Sequence, residues 1–271
     1  MSIDKMQAHY GFSRMPFGRD LPVGALYRHR AHNEAVARIS WLVATHALGV
    51  LTGEVGAGKT AAARAALSAL DASRHTLIYL PNPAVGVRGI HNAIVTALGG
   101  TPRFHHASLI PQTTDALAAE AAERGRHVIV VIDEAHLLDT GQLETLRMLT
   151  NDQMDSTSPL TCLLLGQPTL RRRLKLGDMA ALDQRVTLRY AMPGMDPTET
   201  KAYIGHHTTF AGRTDTLFSD DATDLIHHHS RGLPRAVNNL AVQALIATYT
   251  MNKTIVDHTA ARAAITEATT D

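Results

Sequence analysis

The sequence predicts an α/β protein: an αβα sandwich around a five-stranded parallel sheet, followed by a small all-α region. Three observations predict it. Short apolar runs alternate with helix-forming segments as far as about Tyr190, and strands that are apolar on both faces belong in a parallel sheet covered on each side by helices. One of these runs leads through a glycine-rich loop directly into a helix. From about Met195 onward the strand-like runs stop, and only helical segments follow.

Each element follows from its residues. The first forty or so are mixed, with an ordered arm expected over Tyr10-Gly-Phe-Ser-Arg-Met-Pro-Phe-Gly-Arg-Asp20. A helix is predicted over 32–46, with Val36, Ile39, Trp41, Leu42 and Val43 as its apolar face. Leu48–Thr52 is the first strand, and the Ala-rich stretch from Thr60 to about Leu70 is strong helix-former sequence. Thr76–Leu80 is the second strand, followed by helices over 89–98 and 113–124. His127–Ile132 is the third strand, 140–151 a helix, Leu160–Leu165 the fourth strand and Arg185–Tyr190 the fifth. Helices over 197–211, 219–229, 233–249 and 257–268 complete the chain. The expected divisions are 1–47 (arm and first helix), 48–194 (α/β core) and 195–271 (helical lid), with the break near Pro193-Gly194.

Bulk properties narrow the function classes. At 271 residues and 45% hydrophobic, the chain can bury a large core; aromatics at 4% make that core mostly Ala, Leu, Val and Ile. A net charge of +1 gives no global basic field, so nucleic acid would have to meet a local patch. The single cysteine, Cys162, excludes an internal disulfide and a cysteine metal cluster. No secretory leader is visible and no window approaches the roughly 20 apolar residues of a membrane span, so a cytoplasmic protein with no membrane contact is expected.

The chemistry lies in the run Gly53-Glu54-Val55-Gly56-Ala57-Gly58-Lys59-Thr60, which fits G-x-x-x-x-G-K-[ST] at every fixed position. The glycines let the backbone curl so that N–H groups face phosphate oxygens. Lys59 reaches the β- and γ-phosphates, Thr60 offers a hydroxyl to Mg²⁺, and the following helix directs its positive dipole end at the same group. Its partner motif is Val128-Ile-Val-Val-Ile-Asp133-Glu134, a buried strand ending in two carboxylates. There Asp133 would hold Mg²⁺, and Glu134 would orient and deprotonate water. Once ATP is placed, Gln167 after the fourth strand, Arg185 at the start of the fifth and Arg235 at the start of a C-terminal helix take positions that suit nucleotide chemistry.

This arrangement resembles an AAA+ ATPase and, within that superfamily, the ExeA-like ATPases. The resemblance rests on Tyr10-Gly-Phe with Pro16-Phe17, the phosphate loop, Ile132-Asp-Glu-Ala-His-Leu-Leu, Leu165-Gly-Gln-Pro-Thr-Leu, Asp183-Gln-Arg and Arg231-Gly-Leu-Pro-Arg, and covers essentially the whole chain. It implies that Gln167 is the first sensor and Arg235 the second. It makes Arg185 an arginine finger acting on ATP held by a neighbouring subunit, and Asn82 a polar restraint on Glu134. Secretion-type ExeA proteins carry a membrane segment and a cell-wall-binding region after the ATPase, whereas this sequence ends soon after the lid. The expectation is therefore the short transposon-associated type, with the Mu B, IstB and TniB transposition helpers. Such proteins are homo-oligomers, rings or helical filaments with ATP at subunit interfaces, that bind double-stranded DNA and a transposase. Candidate DNA contacts are Arg88, Arg103 and the cluster Arg171, Arg172 and Arg173. A secretion or cell-envelope ATPase and a nucleotide-gated adaptor are the alternatives. A small-molecule kinase fits the helical lid and the two arginines less well.

Overall fold

The computed structural model describes residues 2–18, 20–151 and 157–270, so Arg19 of the expected arm lies outside it. The elements are α1 (Ile3–Tyr10), α2 (Arg30–Ala44), β1 (Leu48–Thr52), α3 (Lys59–Ser68), β2 (His75–Leu80), α4 (Gly86–Ala97), α5 (His106–Arg124), β3 (His127–Ile132), α6 (Thr140–Leu149), β4 (Leu160–Gly166), α7 (Pro168–Leu174), α8 (Ala180–Arg185), β5 (Val186–Ala191), α9 (Pro197–Phe210), α10 (Asp220–Ser230), α11 (Pro234–Thr250) and α12 (His258–Thr270). They form two units. One comprises Glu34–Glu54 and Ala62–Met192; the other comprises Met1–Asn33, Val55–Ala61 and Pro193–Asp271.

The first unit holds a five-stranded parallel sheet in the order β2-β3-β4-β1-β5. Its central strands are buried on both faces, whereas edge strands β2 and β5 alternate buried and exposed residues, as strands with one covered side should. Leu48, Val50, Val128, Val130, Ile132, Cys162 and Leu164 point into one core cluster with Ile90, Ile94, Leu117, Leu143, Leu146 and Leu170 from α4, α5, α6 and α7. On the opposite face, Leu42 of α2 packs down on Gly49. Complete burial drives the Cys162 thiol pKa up to about 12, which makes it an inert core side chain.

The second unit is helical. Its core joins Met6, Tyr10, Phe12 and Phe17 of the arm to Ile226, Val237, Leu245 and Val256, and the Tyr10 hydroxyl donates to the Leu245 carbonyl at 2.7 Å. The arm is thus an integral part of the helical unit, and the expected 1–47 segment divides at Asn33/Glu34. The Arg231-Gly-Leu-Pro-Arg turn has a packing reason. Gly232 adopts φ +67°, and a Cβ there would lie 2.0 Å from the Met195 carbonyl oxygen; its own carbonyl accepts from the Met195 N–H at 2.9 Å.

Three helices were not expected: α1, α7 and α8. The first is short but capped at both ends, by the Ser2 side chain and by Gly11 at φ 70°. Helix α5 begins at His106, seven residues earlier than Thr113, and contains Pro111. Proline reads as a helix start in sequence; here Leu109 and Thr113, both wholly buried, hold the turns around it. Arg185 ends α8 rather than opening β5.

Candidate functional site

Within the sheet unit, register brings three strand ends together. Leu164 pairs with both Val50 and Ile132, so β1, β3 and β4 finish side by side at one edge. There the Gly53 N–H donates to the Gly166 carbonyl at 3.2 Å. A Cβ on Gly166 would sit 3.3 Å from the His136 backbone nitrogen, so little more than backbone fits between the start of the phosphate loop and the turn after Asp133. Gln167 follows at the head of α7, partly exposed.

Asp133 is almost wholly buried, at 8% exposure. One carboxylate oxygen accepts from the Glu134 N–H at 2.8 Å and the other from the Tyr79 hydroxyl at 3.0 Å. Tyr79 belongs to β2, next to β3. Burial first, and the Asp133 carboxylate second, push its phenol pKa up to about 12, so it remains a hydrogen-bond donor. Glu134 sits in left-handed backbone at φ 49°, an uncommon conformation for a non-glycine residue. Its side chain is about half exposed, with Oε2 3.4 Å from Nδ1 of the largely buried His136; at that separation His136 Nδ1 makes no hydrogen bond among the described residues. His136 is thus one polar group beside Glu134. The Asn82 side chain accepts from the Ala84 N–H at 2.9 Å and shapes its own turn.

Behind this turn, the Arg173 guanidinium donates to the carbonyls of His136 at 3.1 Å and Leu138 at 2.6 Å. Of the Arg171–Arg173 cluster, Arg171 and Arg172 are exposed while Arg173 turns inward. Arg173, a candidate DNA contact by sequence, thus braces the carboxylate loop. Tyr79 and His136 were given no role from the sequence, and for Arg173 the sequence suggested DNA rather than this inward contact. A tyrosine beside the Asp strand could have been found from strand order; the other two required the loop path.

The phosphate-loop residues Val55–Ala61 group with the helical unit. Gly56 and Gly58 adopt φ +82° and +94°, and a Cβ on Gly56 would lie 2.6 Å from Cβ of Arg235. The Arg235 N–H donates to the Gly56 carbonyl at 3.2 Å. Thus the residue expected to sense nucleotide from the second turn position of α11 is hydrogen-bonded through its backbone to the loop itself. Ala57 is buried and Lys59 nearly so, whereas Thr60 is exposed at the start of α3.

The opposite sheet edge has different chemistry. Val186 pairs with Leu48, so Arg185 stands level with the beginning of β1, about 13 Å along the strand from its end. Its guanidinium donates to the Thr150 carbonyl at 2.8 Å. It lines an open recess of about 360 Å³ with His46, Thr150 and Thr187. His46 stacks on His127 with centroids 3.6 Å apart. Burial, then His46 and His75, push the His127 pKa down to about 4. Of the other arginines, Arg88 lies with its guanidinium 4.9 Å over the Phe104 ring, and Arg103 is exposed.

Residues 43–174 match the protein family described as AAA domain. General secretion pathway protein A of Aeromonas hydrophila is 33% identical over 244 residues, which are 89% of this chain and 44% of that protein. The chain therefore spans less than half the length of that relative. Among solved structures, Cdc6p from Pyrobaculum aerophilum superposes with a TM-score of 0.67 at 15% identity, covering 89% of this chain and 67% of its own. The Aeropyrum pernix ORC1 protein in complex with DNA gives 0.65 at 16%, covering 93% and 68%. The Thermotoga maritima RuvB Holliday junction branch migration motor gives 0.56 at 19%, covering 86% and 68%. At these identities the likeness is one of fold.

Proposed function

We propose that this chain, which has the AAA+ P-loop NTPase fold and an AAA domain over residues 43–174, hydrolyses ATP as a homo-oligomer and uses the nucleotide to switch its grip on double-stranded DNA. In this reading Gly53–Thr60 holds the phosphates. The Thr60 hydroxyl and Asp133 carboxylate are hard oxygen donors that would hold Mg²⁺, which would supply neutralisation of phosphate charge when bound. Glu134 accepts the proton of the attacking water as the bond from the γ-phosphorus to the bridging oxygen breaks. Gln167 orients the γ-phosphate or the water, and Arg235 reports nucleotide state to the helices through its backbone bond to Gly56. The Tyr79 hydroxyl keeps Asp133 aimed.

One observation carries the oligomeric reading. Arg185 sits at the sheet edge where the strands begin, while the phosphate loop leaves the edge where they end. In this reading an arginine so placed serves a neighbour's ATP rather than its own, as a finger supplied in trans. Exposed Arg88, Arg103, Arg171 and Arg172 support contact with DNA phosphates. A transposase as the partner that reads the DNA-bound assembly is the biological role we favour. A second reading, an ATPase for secretion or cell-envelope assembly, is favoured by the 33% identity to general secretion pathway protein A.

Fluorescence anisotropy on mixed-sequence duplex, with ATP, ADP or no nucleotide across a salt series, separates the two. Tight, salt-sensitive binding that requires ATP supports the DNA switch. An intact nucleotide site with no DNA binding in any state contradicts it and leaves the secretion reading.

A further inference from the structure

We propose that Phe104 is a base-stacking contact to DNA, with the Arg88 guanidinium as its cationic backing; this rests on the DNA-binding part of the function proposed above. Phe104 is 75% exposed, more than any other large apolar side chain among the described residues. The loop that carries it is clamped. The Gln112 side chain donates to the Thr101 carbonyl and accepts from the Arg103 N–H, both at 2.9 Å. The His105 carbonyl then receives the Ser108 N–H and hydroxyl at the start of α5. A phenyl ring is therefore held in water by a fixed backbone, with the Arg88 guanidinium 4.9 Å from one face and the His105 ring edge-on at 5.2 Å.

The charge around it selects the partner. The chain has 25 acidic residues, yet 81–114, which contains Arg88, α4, the Phe104 loop and the start of α5, has no Asp or Glu. Of the carboxylates on the helices that pack against α4, Asp115, Glu120 and Glu123 lie about two and a half turns or more beyond the start of α5, and Glu144 of α6 is bonded to Arg147 at 2.7 Å. A segment without acidic residues, bearing one outstanding ring and the two arginines Arg88 and Arg103, suits a partner that is polyanionic and offers flat π faces. Nucleic acid has both properties. The ring stacks on a base, at a step pried open in duplex or on an unpaired base, while the guanidinium polarises the ring from behind and reaches phosphate.

The test uses the full chain bound to a slowly hydrolysed ATP analogue. Because Trp41 is the single tryptophan, Phe104→Trp in a Trp41→Phe background places one reporter at the site. Titration with mixed-sequence duplex and with the matching single strand is expected to quench its emission in step with anisotropy. Quenching by duplex identifies a wedge at a base step, and quenching by the single strand alone an unpaired base. Phe104→Ala should weaken binding by about tenfold, as loss of one stacked base does, without changing the salt slope, whereas Arg88→Ala should flatten that slope. DNA binding with unmoved emission and wild-type affinity in Phe104→Ala overturns the stacking contact and leaves the DNA switch standing. Absence of wild-type DNA binding overturns both.

Discussion

At the edge where its strands end, the sheet brings together the start of the phosphate loop, the buried Asp133 with its tyrosine donor and the strained Glu134. At the edge where they begin, it carries Arg185 on a backbone carbonyl and a stacked pair of histidines beside an open recess. The carboxylates Asp133 and Glu134 stand at one end, and Arg185 with the His46–His127 stack at the other. About 13 Å of strand separates them, and in the function proposed above each end completes the other only across two copies of the chain. The difference teaches that a single sheet can carry its carboxylates and its Arg185 at opposite ends, which the proposed function uses by dividing one nucleotide site between two copies.

The strongest way to break this comparison is to empty the acidic end. Lys59→Ala is expected to lower ATP affinity about a hundredfold, the scale of a lost charge-assisted contact, which calorimetry would detect. Unchanged affinity would remove the loop from phosphate binding. Glu134→Gln should keep ATP affinity while turnover falls about 10²- to 10⁴-fold in a phosphate-release assay; normal turnover would take Glu134 out of the base role. Tyr79→Phe sharpens the account by deleting only the bond to Asp133. A loss of up to about tenfold in turnover, with folding intact, is expected for one hydrogen bond to a charged group.

The smallest effect belongs to the other edge. His127 is held near pKa 4 in the fold, by burial first and then by His46 and His75, against about 6.5 in the unfolded chain. The unfolded state therefore binds more protons between those values. The stability due to a neutral His127 is complete above about pH 6.5 and is lost as pH falls toward 4. His32 and His207 are also held at about 4, burial again the first cause, and act in the same direction. Thermal melts from pH 7.5 to 4.5 should show a falling Tm whose slope is shallower in His127→Asn. An equal slope in the variant would mean that the stacked pair does not resist protonation.

The motifs that defined this sheet were legible because their chemistry is local. Eight consecutive residues specify the phosphate loop, and an apolar strand ending in Asp133-Glu134 announces its carboxylates. The order of elements was legible for the same reason, since strand and helix periodicities alternate along the chain. What could not be read depends on contacts distant in sequence. Tyr79 meets Asp133 across 54 residues, and Arg173 reaches His136 across 37. The arm was legible as ordered, but its place in the helical core depends on Tyr10 meeting Leu245. Helix α8 was missed because six residues carry too little periodicity, and so Arg185 was assigned to the strand that follows it.

The measurement that bears most directly on the divided site is ATP turnover by mixtures of two inactive variants. Arg185→Ala should bind ATP within about twofold of wild type and lose about 10³-fold in turnover, the scale of a missing arginine finger; Lys59→Ala lacks a working phosphate loop but retains its arginine. Mixed in varying ratio, the two are predicted to recover part of the activity, with a maximum at intermediate ratios, because an intact Arg185 then faces an intact loop across some interfaces. Activity that stays at the level of the separate variants at every ratio, with mixed assembly shown by cross-linking, would contradict the claim that one copy completes the site of another.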